Sequence, residues 1–356
     1  MITFDCLRPD RLGFNGYRGV ETPAFDSLAE ESLVFERAYC QTPNTWVAHA
    51  SLFTGTYPAR HGVRTPRSGI SPDVGTLAEA LSDAGYETHG LPAVGMLRSE
   101  LGFGRGFDTY TLEGTRGPKL RYDNPQYRPA ARSLQMAKER IENARRPFFL
   151  WIHHFGIHWI AEDALALPAE YRDRFSEYAQ FYDGKVSYAD AALLRPLIAY
   201  LKEADLWDET AIVLLSDHGE NLDWVESRRG RSAHNFDLRE EAIRTLLMIR
   251  LKSGRPAGRR ADIANSVDVL PTICEICGVE PPRTNQGRSL LSSDREGEGT
   301  AAYVECLCQG CVGVVRNRRK LVLVMDSIHG PRPVWAAKGA RKLLHSLKRR
   351  TLRAVG

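Results

Sequence analysis

The sequence predicts an α/β fold with a doubly wound, mostly parallel sheet and a small C-terminal antiparallel β subdomain. Three observations support this fold class. Short apolar runs of strand type alternate with helical patterns along most of the chain. Several helices have clear start and stop signals, and further strand-type runs follow a polar linker beyond residue 285.

Four short apolar runs are the predicted strands of the main sheet. They read "MITF" at 1–4, "FFLWIHH" at 148–154, "AIVLLSDHG" at 211–219 and "TLLMIR" at 245–250. Runs of this length, separated by helical segments, are typical of strands buried on both faces in a parallel sheet.

Capping signals predict the helix boundaries. Thr22 is the expected N-cap of "TPAFDSLAEES", with proline in the first turn. Thr76 and Glu79 form a capping-box pattern in "TLAEALSDAG", and Gly85 is the expected stop. The helix in "DVLPTICEICG" is expected to end at Gly278.

The character of the chain changes near residue 285, and we predict three parts with the ranges 1–285, 286–337 and 338–356. The first holds the main α/β fold. The second contains "YVECLC" and "VGVVRNRRKLVLV", which predict strands joined by an Asn-Arg-Arg turn. The third has seven Lys or Arg residues and no Asp or Glu. We expect this basic tail to form a solvated terminal helix. Weak contact with an anionic membrane surface or a partner is the alternative.

Composition favours a globular chain. The 356 residues are 43% hydrophobic, and no run approaches the roughly 18 to 20 apolar residues that a membrane helix needs. The segment "MITFDCLRPD" lacks the pattern of a signal peptide, so the expected localisation is cytoplasmic. The seven cysteines include "CEIC" and "CLCQGC", which we interpret as buried structural residues in preference to metal ligands.

Residue types that bind metals follow three of the predicted strands. Asp5 follows "MITF", Asp217 and His218 follow "AIVLLS", and histidines at 153, 154 and 158 lie on or after "FFLWIHH". Open α/β sheets bind ligands at the carboxyl ends of their strands, so these side chains are expected to meet if the strands are neighbours. A mixed oxygen and nitrogen site favours Mn²⁺ or Zn²⁺, with Mg²⁺ or Ca²⁺ as alternatives.

The stretch "TPNTWVAHASLFTG" predicts a helix that begins near Thr45 and ends at Gly55. The positive end of a helix dipole together with a divalent cation would favour the alkoxide of Thr45 and make it a nucleophile. His49 lies four residues later and hence on the same helix face, where it either orients the nucleophile or packs in the core. Alternation along the first strand predicts that Cys6 points away from Asp5, and a zinc-ligand role for Cys6 is the open alternative.

An ordered series of motifs resembles the sulfatase-type branch of the alkaline phosphatase superfamily, to which sulfatases and phosphonate monoester hydrolases belong. These motifs are "FDCLRPDRLG", "HASLFTGTYPARHGV", "TLAEALSDAGYET", "FFLWIHHFGIHW", "SDHGE" and "DVLPTICEICGVEPP". The resemblance runs from the first residues to about residue 290. It implies a catalytic domain with a doubly wound α/β core, a small C-terminal antiparallel domain, and one divalent metal beside a nucleophile at a helix N-terminus.

Roles carried over from the resemblance fall on particular positions. Asp5, Asp217 and His218 match metal ligands, and Thr45 matches the nucleophile that also contacts the metal. Two histidines match residues that act on the substrate. His158 corresponds to a histidine that contacts non-bridging oxygens, and His234 falls where the family has a Lys or His that neutralises those oxygens or protonates the leaving group. His49 joins them as a substrate-binding candidate.

Departures from the family pattern exclude formylglycine chemistry. True sulfatases of this family have Cys or Ser followed by x-Pro-x-Arg, whereas here the run is Thr45-Trp46-Val47-Ala48-His49. The methyl group on the threonine Cβ means that oxidation gives a ketone and no aldehyde. Cys6 replaces the second Asp of the calcium-dependent sulfatases, His218 stands where they use Asn, and the family's sulfate-binding lysine has no counterpart around "LPAVGML".

These observations favour a metal-dependent hydrolase or transferase that cleaves phosphate diesters, phosphonates or related esters through Thr45. A sulfuric ester hydrolase without formylglycine is one alternative. The other is a catalytically silent relative that acts as a membrane- or protein-binding module. The expected partner is a small-molecule phosphate, phosphonate or sulfate ester, and no nucleic acid is expected.

Overall fold

The structure is a computed structural model that describes residues 1–113, 127–158, 168–172, 178–222, 234, 238–252, 257–292, 301–306, 310–316 and 319–324. The predicted tail, 338–356, therefore lies outside the described residues. No helix within the described ranges is both long enough and apolar enough to cross a membrane.

A large sheet forms the centre of the molecule, and its described part has nine strands. Eight of them run in the order β4-β3-β5-β1-β6-β8-β2-β7, and β9 pairs with β2. The bounds are β1 Ile2–Phe4, β2 Leu33–Tyr39, β3 Glu87–Leu91, β4 Thr109–Tyr110, β5 Phe148–His154, β6 Ile212–Ser216, β7 Arg244–Thr245, β8 Leu247–Arg250 and β9 Gly258–Asn265.

The middle of this sheet is parallel, as the sequence predicts. Strand β1 pairs in parallel with both β5 and β6, and β5 pairs in parallel with β3. Strand β8 departs from this pattern, because it pairs antiparallel with both β6 and β2. In the register of the sheet, Phe4 lies opposite His154 on one side and Ser216 on the other. The three central strands therefore end at the same level.

Helices cover both faces of the sheet, which makes the fold doubly wound. The bounds are α1 Pro23–Glu30, α2 Thr45–Thr54, α3 Pro58–His61, α4 Leu77–Asp83, α5 Ala130–Asn143, α6 Ala169–Arg172, α7 Tyr178–Ala189, α8 Arg195–Glu203, α9 Glu240–Ile243 and α10 Val269–Cys277. Val213 and Leu215 of β6 join one apolar core with α2, α4 and α10. Ile212 and Leu214 join the opposite core with α1, α5, α7 and α8.

A separate sheet of three antiparallel strands confirms the predicted C-terminal β unit. Its strands are β10 Ala302–Cys306, β11 Cys311–Arg316 and β12 Arg319–Val324, in that order. One face packs in a small core with Tyr39, Leu238 and Ile263 of the main fold. The predicted turn falls between the paired residues Arg316 and Arg319, and its two central residues lie outside the described part of the chain.

The cysteines of "CEIC" lie on α10, where Cys274 is fully buried in an apolar core. Cys306 and Cys311 face each other across β10 and β11 as free thiols. Groups of metal-binding side chains among the described residues include Cys6 and none of these four. The structural interpretation of the "CEIC" pair thus agrees with its packing.

One predicted helix start is capped by residues of the same helix, and another is capped by a residue that is distant in the sequence. The predicted capping box is present, because Thr76 Oγ1 accepts from Glu79 N and Thr76 N donates to the Glu79 carboxylate. Thr22 precedes α1 as predicted, but its side chain does not cap that helix. The carboxylate of Asp190 instead accepts from the backbone N–H groups of Ala24 and Phe25, at 2.8 and 3.0 Å.

We predict that Asp190→Ala lowers the free energy of unfolding by about 2 to 3 kcal/mol, because two buried N–H groups lose a charged acceptor. Urea denaturation followed by circular dichroism measures the change. Thr76→Ala is the matched control, with an expected cost of about 1 kcal/mol for an ordinary cap. Equal, small losses in both variants would contradict the special role of Asp190.

Candidate active site

Side chains from three parallel strands converge at one edge of the sheet. Asp5 comes directly after β1, and Asp217 and His218 come directly after β6. Because β1 lies between β5 and β6 in register, the strand ends place these residues side by side. His158 lies in the turn that follows β5 and is 8% exposed. The predicted meeting of strand-end residues is therefore present in the fold.

Thr45 is the first residue of α2, and its hydroxyl points into this group of residues. Thr45 Oγ1 lies 3.0 Å from Asp5 Oδ2 and 3.2 Å from His218 Nε2. The side chain is nearly fully buried. The helix continues to Thr54 and ends at Gly55, which has the left-handed conformation expected of a C-terminal glycine. The local start and stop signals in the sequence thus fix where this hydroxyl lies.

Asp5 and Asp217 are two buried carboxylates that face a common point. Asp5 Oδ1 and Asp217 Oδ2 are both buried without a hydrogen-bond partner. One ligand atom from each of Asp5, Asp217 and His218 lies within 4.8 Å of the others. Buried polar atoms are almost always satisfied, so two orphaned carboxylate oxygens beside an imidazole and a hydroxyl fit a divalent cation.

The pKa values of Asp5 and Asp217 are shifted in opposite directions. Burial alone would raise the pKa of Asp5, but the imidazole of His153, 3.5 Å away, and those of His158 and His218 hold it well below its usual range. Burial and the negative charge of Asp5 raise the pKa of Asp217 well above its usual range. Ionising two carboxyl groups this close to each other costs free energy unless a cation compensates their charge.

His218 presents one particular ring nitrogen to the site. Its Nδ1 lies 2.9 Å from the carbonyl oxygen of Gly219, so Nδ1 carries the proton and donates to that oxygen. The other nitrogen, Nε2, keeps its lone pair and faces Thr45. Burial lowers the pKa of His218 to about 3, which keeps the ring neutral. A neutral imidazole held by a backbone carbonyl is the form that metals bind.

Glu220 forms a buried ion pair with His234 that the sequence analysis missed. Glu220 Oε2 lies 3.0 Å from His234 Nδ1, and both side chains are buried. Burial would lower the pKa of His234, but the Glu220 carboxylate raises it. Burial would raise the pKa of Glu220, and His234 holds it at about 2. The two residues lie fourteen positions apart. The final Glu of "SDHGE" is the sequence feature that could have indicated this ion pair.

His158 lies beside this pair and is neutral. Its ring stacks on Phe155 at 4.4 Å and is 5.1 Å from the His234 ring. Burial lowers the pKa of His158 to about 4. Lys185 of α7 is also buried and donates from Nζ to the His158 carbonyl oxygen at 2.9 Å. Lys185 lies 27 residues after His158, and no sequence motif links the two positions.

His49 lies one helical turn after Thr45 on α2 and is buried in the core. Its Nδ1 is 2.8 Å from the Thr45 carbonyl oxygen, and its Nε2 is 3.2 Å from Thr3 Oγ1. The residue is fully buried, and its ring packs against Trp151 and His153. Since both ring nitrogens have protein partners, the geometry favours a positioning role over the substrate contact that the sequence analysis also suggests.

Arg8 and Cys6 lie in the loop that follows β1. Arg8 braces this loop, because it pairs with Asp10 at 2.7 Å and donates to the Glu220 carbonyl oxygen. The expectation that Cys6 points away from Asp5 is wrong. Cys6 has a positive φ of 60°, which ends the strand alternation and turns its side chain toward the histidines.

The strand order and the strand-end cluster at the N-terminus of α2 define an α/β protein with a candidate metal site at the carboxyl edge of its main sheet. A profile of the family described as "Sulfatase" matches residues 1–279. This chain belongs to the sulfatase family.

Curated relatives match parts of the chain. A multifunctional alkaline phosphatase superfamily protein, PehA, from Trinickia caryophylli is 39% identical over 119 residues, which is 33% of this chain and 22% of that protein. An arylsulfatase of Clostridium perfringens is 38% identical over 89 residues, 25% of this chain and 18% of that one. A ulvan-active sulfatase of Formosa agariphila is 24% identical over 78% of this chain. The chain spans from 18% to 54% of the lengths of these three relatives.

Solved structures share the fold over nearly the whole chain. A protein in complex with its substrate D-glucosamine-2-N,6-O-disulfate has a TM-score of 0.70 at 20% identity, over 93% of this chain and 89% of that one. The phosphonate monoester hydrolase of Agrobacterium radiobacter has a TM-score of 0.66 at 18% identity, over 99% and 94%. At these identities the likeness shows the fold alone.

We predict that Glu220→Gln lowers the pKa of His234, because burial then acts on the imidazole without an opposing carboxylate. Proton NMR titration of the imidazole signals in metal-free protein measures the shift. Glu240→Gln is the matched control, since Glu240 contacts Tyr39 and Lys320 elsewhere. An unchanged His234 titration in Glu220→Gln would show that the ion pair does not set the charge of this ring.

Proposed function

We propose that this protein is a metal-dependent ester hydrolase that cleaves phosphate diesters or phosphonate esters through Thr45. One observation carries the proposal: the Thr45 hydroxyl lies at a helix N-terminus within 3.2 Å of both Asp5 Oδ2 and His218 Nε2. A hydroxyl in this position lies at the positive end of the helix, donates its proton to the Asp5 carboxylate and faces a nitrogen that could bind a metal.

Thr45 attacks the substrate in the first half of the proposed reaction. The hydroxyl gives its proton to Asp5 Oδ2, to which it already donates a hydrogen bond, and Oγ1 forms a bond to phosphorus. The bond from phosphorus to the leaving oxygen breaks in line with this attack. Water or an acceptor alcohol then attacks the phosphothreonine, the bond to Oγ1 breaks, and Thr45 recovers its proton.

His234 supplies and recovers the proton of the leaving group. Glu220 raises the pKa of His234, so the imidazolium can donate to the departing oxygen. The neutral ring then accepts a proton from the attacking water in the second half. His158 is neutral and lies 5.1 Å from His234 between ring centres, where it can hydrogen-bond to non-bridging oxygens.

The residues at the strand ends fit a divalent cation, on the evidence of the two orphaned carboxylate oxygens. Asp5, Asp217, His218 and Thr45 would hold it. A bound cation supplies positive charge that favours the threonine alkoxide and neutralises the phosphoryl oxygens, an effect worth several kcal/mol.

The choice of phosphorus over sulfur rests on the chemistry of threonine. A formylglycine hydrate releases sulfate by elimination, and Thr45 cannot form one because its Cβ carries a methyl group. A plain alkoxide suits phosphoryl transfer, in which an oxygen nucleophile attacks phosphorus in line with the leaving group. The sequence similarity to sulfatases makes a sulfate ester the alternative substrate that the test must include.

We predict that Thr45→Ala lowers kcat by at least about a thousandfold, because the attacking oxygen is lost. The measurement is turnover of bis-nitrophenyl phosphate, nitrophenyl phenylphosphonate and nitrophenyl sulfate by metal-loaded protein. Thr45→Ser is expected to stay within about tenfold of the wild type, since it keeps the hydroxyl. Intact mass after acid quenching is expected to show one phosphoryl group on the wild type and none on Thr45→Ala.

Thr54→Ala is the matched control for this experiment. Thr54 is buried at the other end of α2, and its hydroxyl bonds to the Ala50 carbonyl oxygen. Its removal is expected to leave kcat within about twofold. Turnover unaffected by Thr45→Ala would refute the nucleophile. Selective turnover of the sulfate ester would favour the sulfatase alternative, and no turnover of any ester would favour a silent relative.

We predict that His234→Ala slows cleavage of an alkyl methyl phosphate diester by about 100-fold more than cleavage of a nitrophenyl ester. Nitrophenolate leaves without protonation, whereas an alkoxide needs a donor. His89→Ala is the control, because His89 lies on β3 beside Glu87 and Thr109. An equal loss on both leaving groups would assign His234 to oxygen binding and not to proton donation.

A further inference from the structure

We infer that one face of the C-terminal three-stranded sheet binds the surface of an anionic lipid membrane. This outer face is formed by the apolar side chains Tyr303, Val312, Val314, Leu321 and Leu323. The inference goes beyond the proposed ester cleavage and does not depend on it. Its basis is an exposed apolar surface that has arginines on two of its sides.

Strand alternation separates the outer face from the face that packs on the main fold. Ala302 and Val304 of β10 are 0% and 3% exposed in the small core, whereas Tyr303 between them is 54% exposed. Leu321 and Leu323 of β12 are 58% and 56% exposed. Successive side chains of a strand point to opposite faces of the sheet, so these three residues lie on the face away from the main fold.

The strand register joins the exposed side chains into one surface. Tyr303 pairs with Val314, and Val314 pairs with Leu321 on its other side. Val312 pairs with Leu323 in the same way. Cross-strand neighbours on one face have Cβ atoms about 5 Å apart, so these side chains are in contact. Single exposed apolar residues are ordinary, but a contiguous exposed apolar surface marks an interaction site.

Two arginines border the outer face at one end of the strands. Arg316 and Arg319 pair with each other across β11 and β12, and both are exposed. Together with Val314 and Leu321 they line an open concavity of about 740 Å³. Guanidinium groups next to apolar side chains suit a phosphate headgroup next to an acyl chain.

A second group of arginines borders the outer face beside β10. The segment 57–71 contacts this strand, because the Tyr57 and Tyr303 rings are 6.1 Å apart and Arg64 pairs with Glu305 at 3.3 Å. Glu305 is opposite Val312, so Arg64 compensates the negative charge on the outer face. The segment has no Asp or Glu and three exposed arginines, which are Arg60, Arg64 and Arg67.

The sequence after β12 carries further positive charge. Residues 338–356 hold seven Lys or Arg and no Asp or Glu. They are joined to β12, the strand of Leu321 and Leu323, by residues 325–337. Basic segments next to a membrane-binding surface are attracted to anionic lipids.

Charge and apolar character together select the partner. The basic tail, or a second copy of this chain, would bring more cations against Arg316 and Arg319, and like charges repel. A soluble polyanion would pair with the arginines but leave Leu321 and Leu323 in water. An anionic membrane surface meets both needs, because its phosphates pair with the arginines and its acyl boundary takes up the apolar side chains.

Vesicle co-sedimentation of the full chain tests this inference. The protein is expected to bind phosphatidylcholine vesicles that contain about a quarter phosphatidylglycerol at least about tenfold more tightly than vesicles of phosphatidylcholine alone. Leu321→Ser/Leu323→Ser is expected to weaken binding at least about tenfold, since less apolar surface enters the membrane. Both leucines are exposed, so circular dichroism melting of this variant is expected to match the wild type.

Arg316→Gln/Arg319→Gln is expected to weaken binding to the anionic vesicles by about tenfold. Arg145→Gln/Arg146→Gln is the matched control and is expected to stay within about twofold of the wild type. These two arginines are exposed and precede β5, whereas the small sheet packs on residues of β2 and β9.

A measurement on the wild type is independent of how the variants fold. Amide hydrogen exchange in β11 and β12 is expected to slow at least about fivefold when anionic vesicles are added. Unchanged exchange there, or no vesicle binding at all, would overturn the inference. Retention on heparin without vesicle binding would overturn it in favour of a soluble polyanion.

Two further outcomes would assign the outer face differently. Lys348→Gln/Arg349→Gln/Arg350→Gln separates the tail from the sheet. Binding lost in this variant but unchanged in Leu321→Ser/Leu323→Ser would overturn the inference, because the tail alone would then bind the membrane. A dimer in sedimentation velocity that Leu321→Ser/Leu323→Ser dissociates, without vesicle binding, would assign the face to a second copy of the chain.

Discussion

The site depends on two buried carboxylates held close to each other. Asp5 and Asp217 each keep one oxygen without a hydrogen-bond partner. Neighbouring imidazoles hold the pKa of Asp5 low, and burial together with the charge of Asp5 raises the pKa of Asp217. A cation removes this conflict, and the Thr45 hydroxyl already lies against Asp5. In the proposed function, the electrostatic cost of the pair in the folded protein becomes the source of metal affinity and of nucleophile activation.

The main sheet makes this arrangement rigid. Strand β1 lies between β5 and β6, both parallel to it, and the shared register brings the three strand ends to one level. Apolar cores on both faces of the sheet fix the strands against α2 on one side and α7 on the other. Side chains attached to helices and strands are held more precisely than side chains on loops, and a metal site needs such close spacing.

Charge is divided between two ends of the site. At one end, Asp217 and Asp5 leave negative charge that awaits a cation. At the other, Glu220 raises the pKa of His234, while burial lowers the pKa of His158 to about 4 and that of His218 to about 3. In the proposed function, an anionic ester bridges the two ends, the cation and His234 supply positive charge, and the neutral imidazoles contribute hydrogen bonds without repelling the cation.

Local patterns in the sequence determined the fold class, the strand "FFLWIHH", the capping box at Thr76 and the α2 boundaries, because apolar periodicity and capping act over a few residues. The same patterns marked Asp5, Asp217 and His218 as strand-end residues. Only the tertiary structure decided the direction of Cys6 and the partner of His234. It also decided that Asp190 caps α1 and that Lys185 lies beside the site. Those features depend on a left-handed turn or on contacts between distant segments, which leave no periodic signal in the chain.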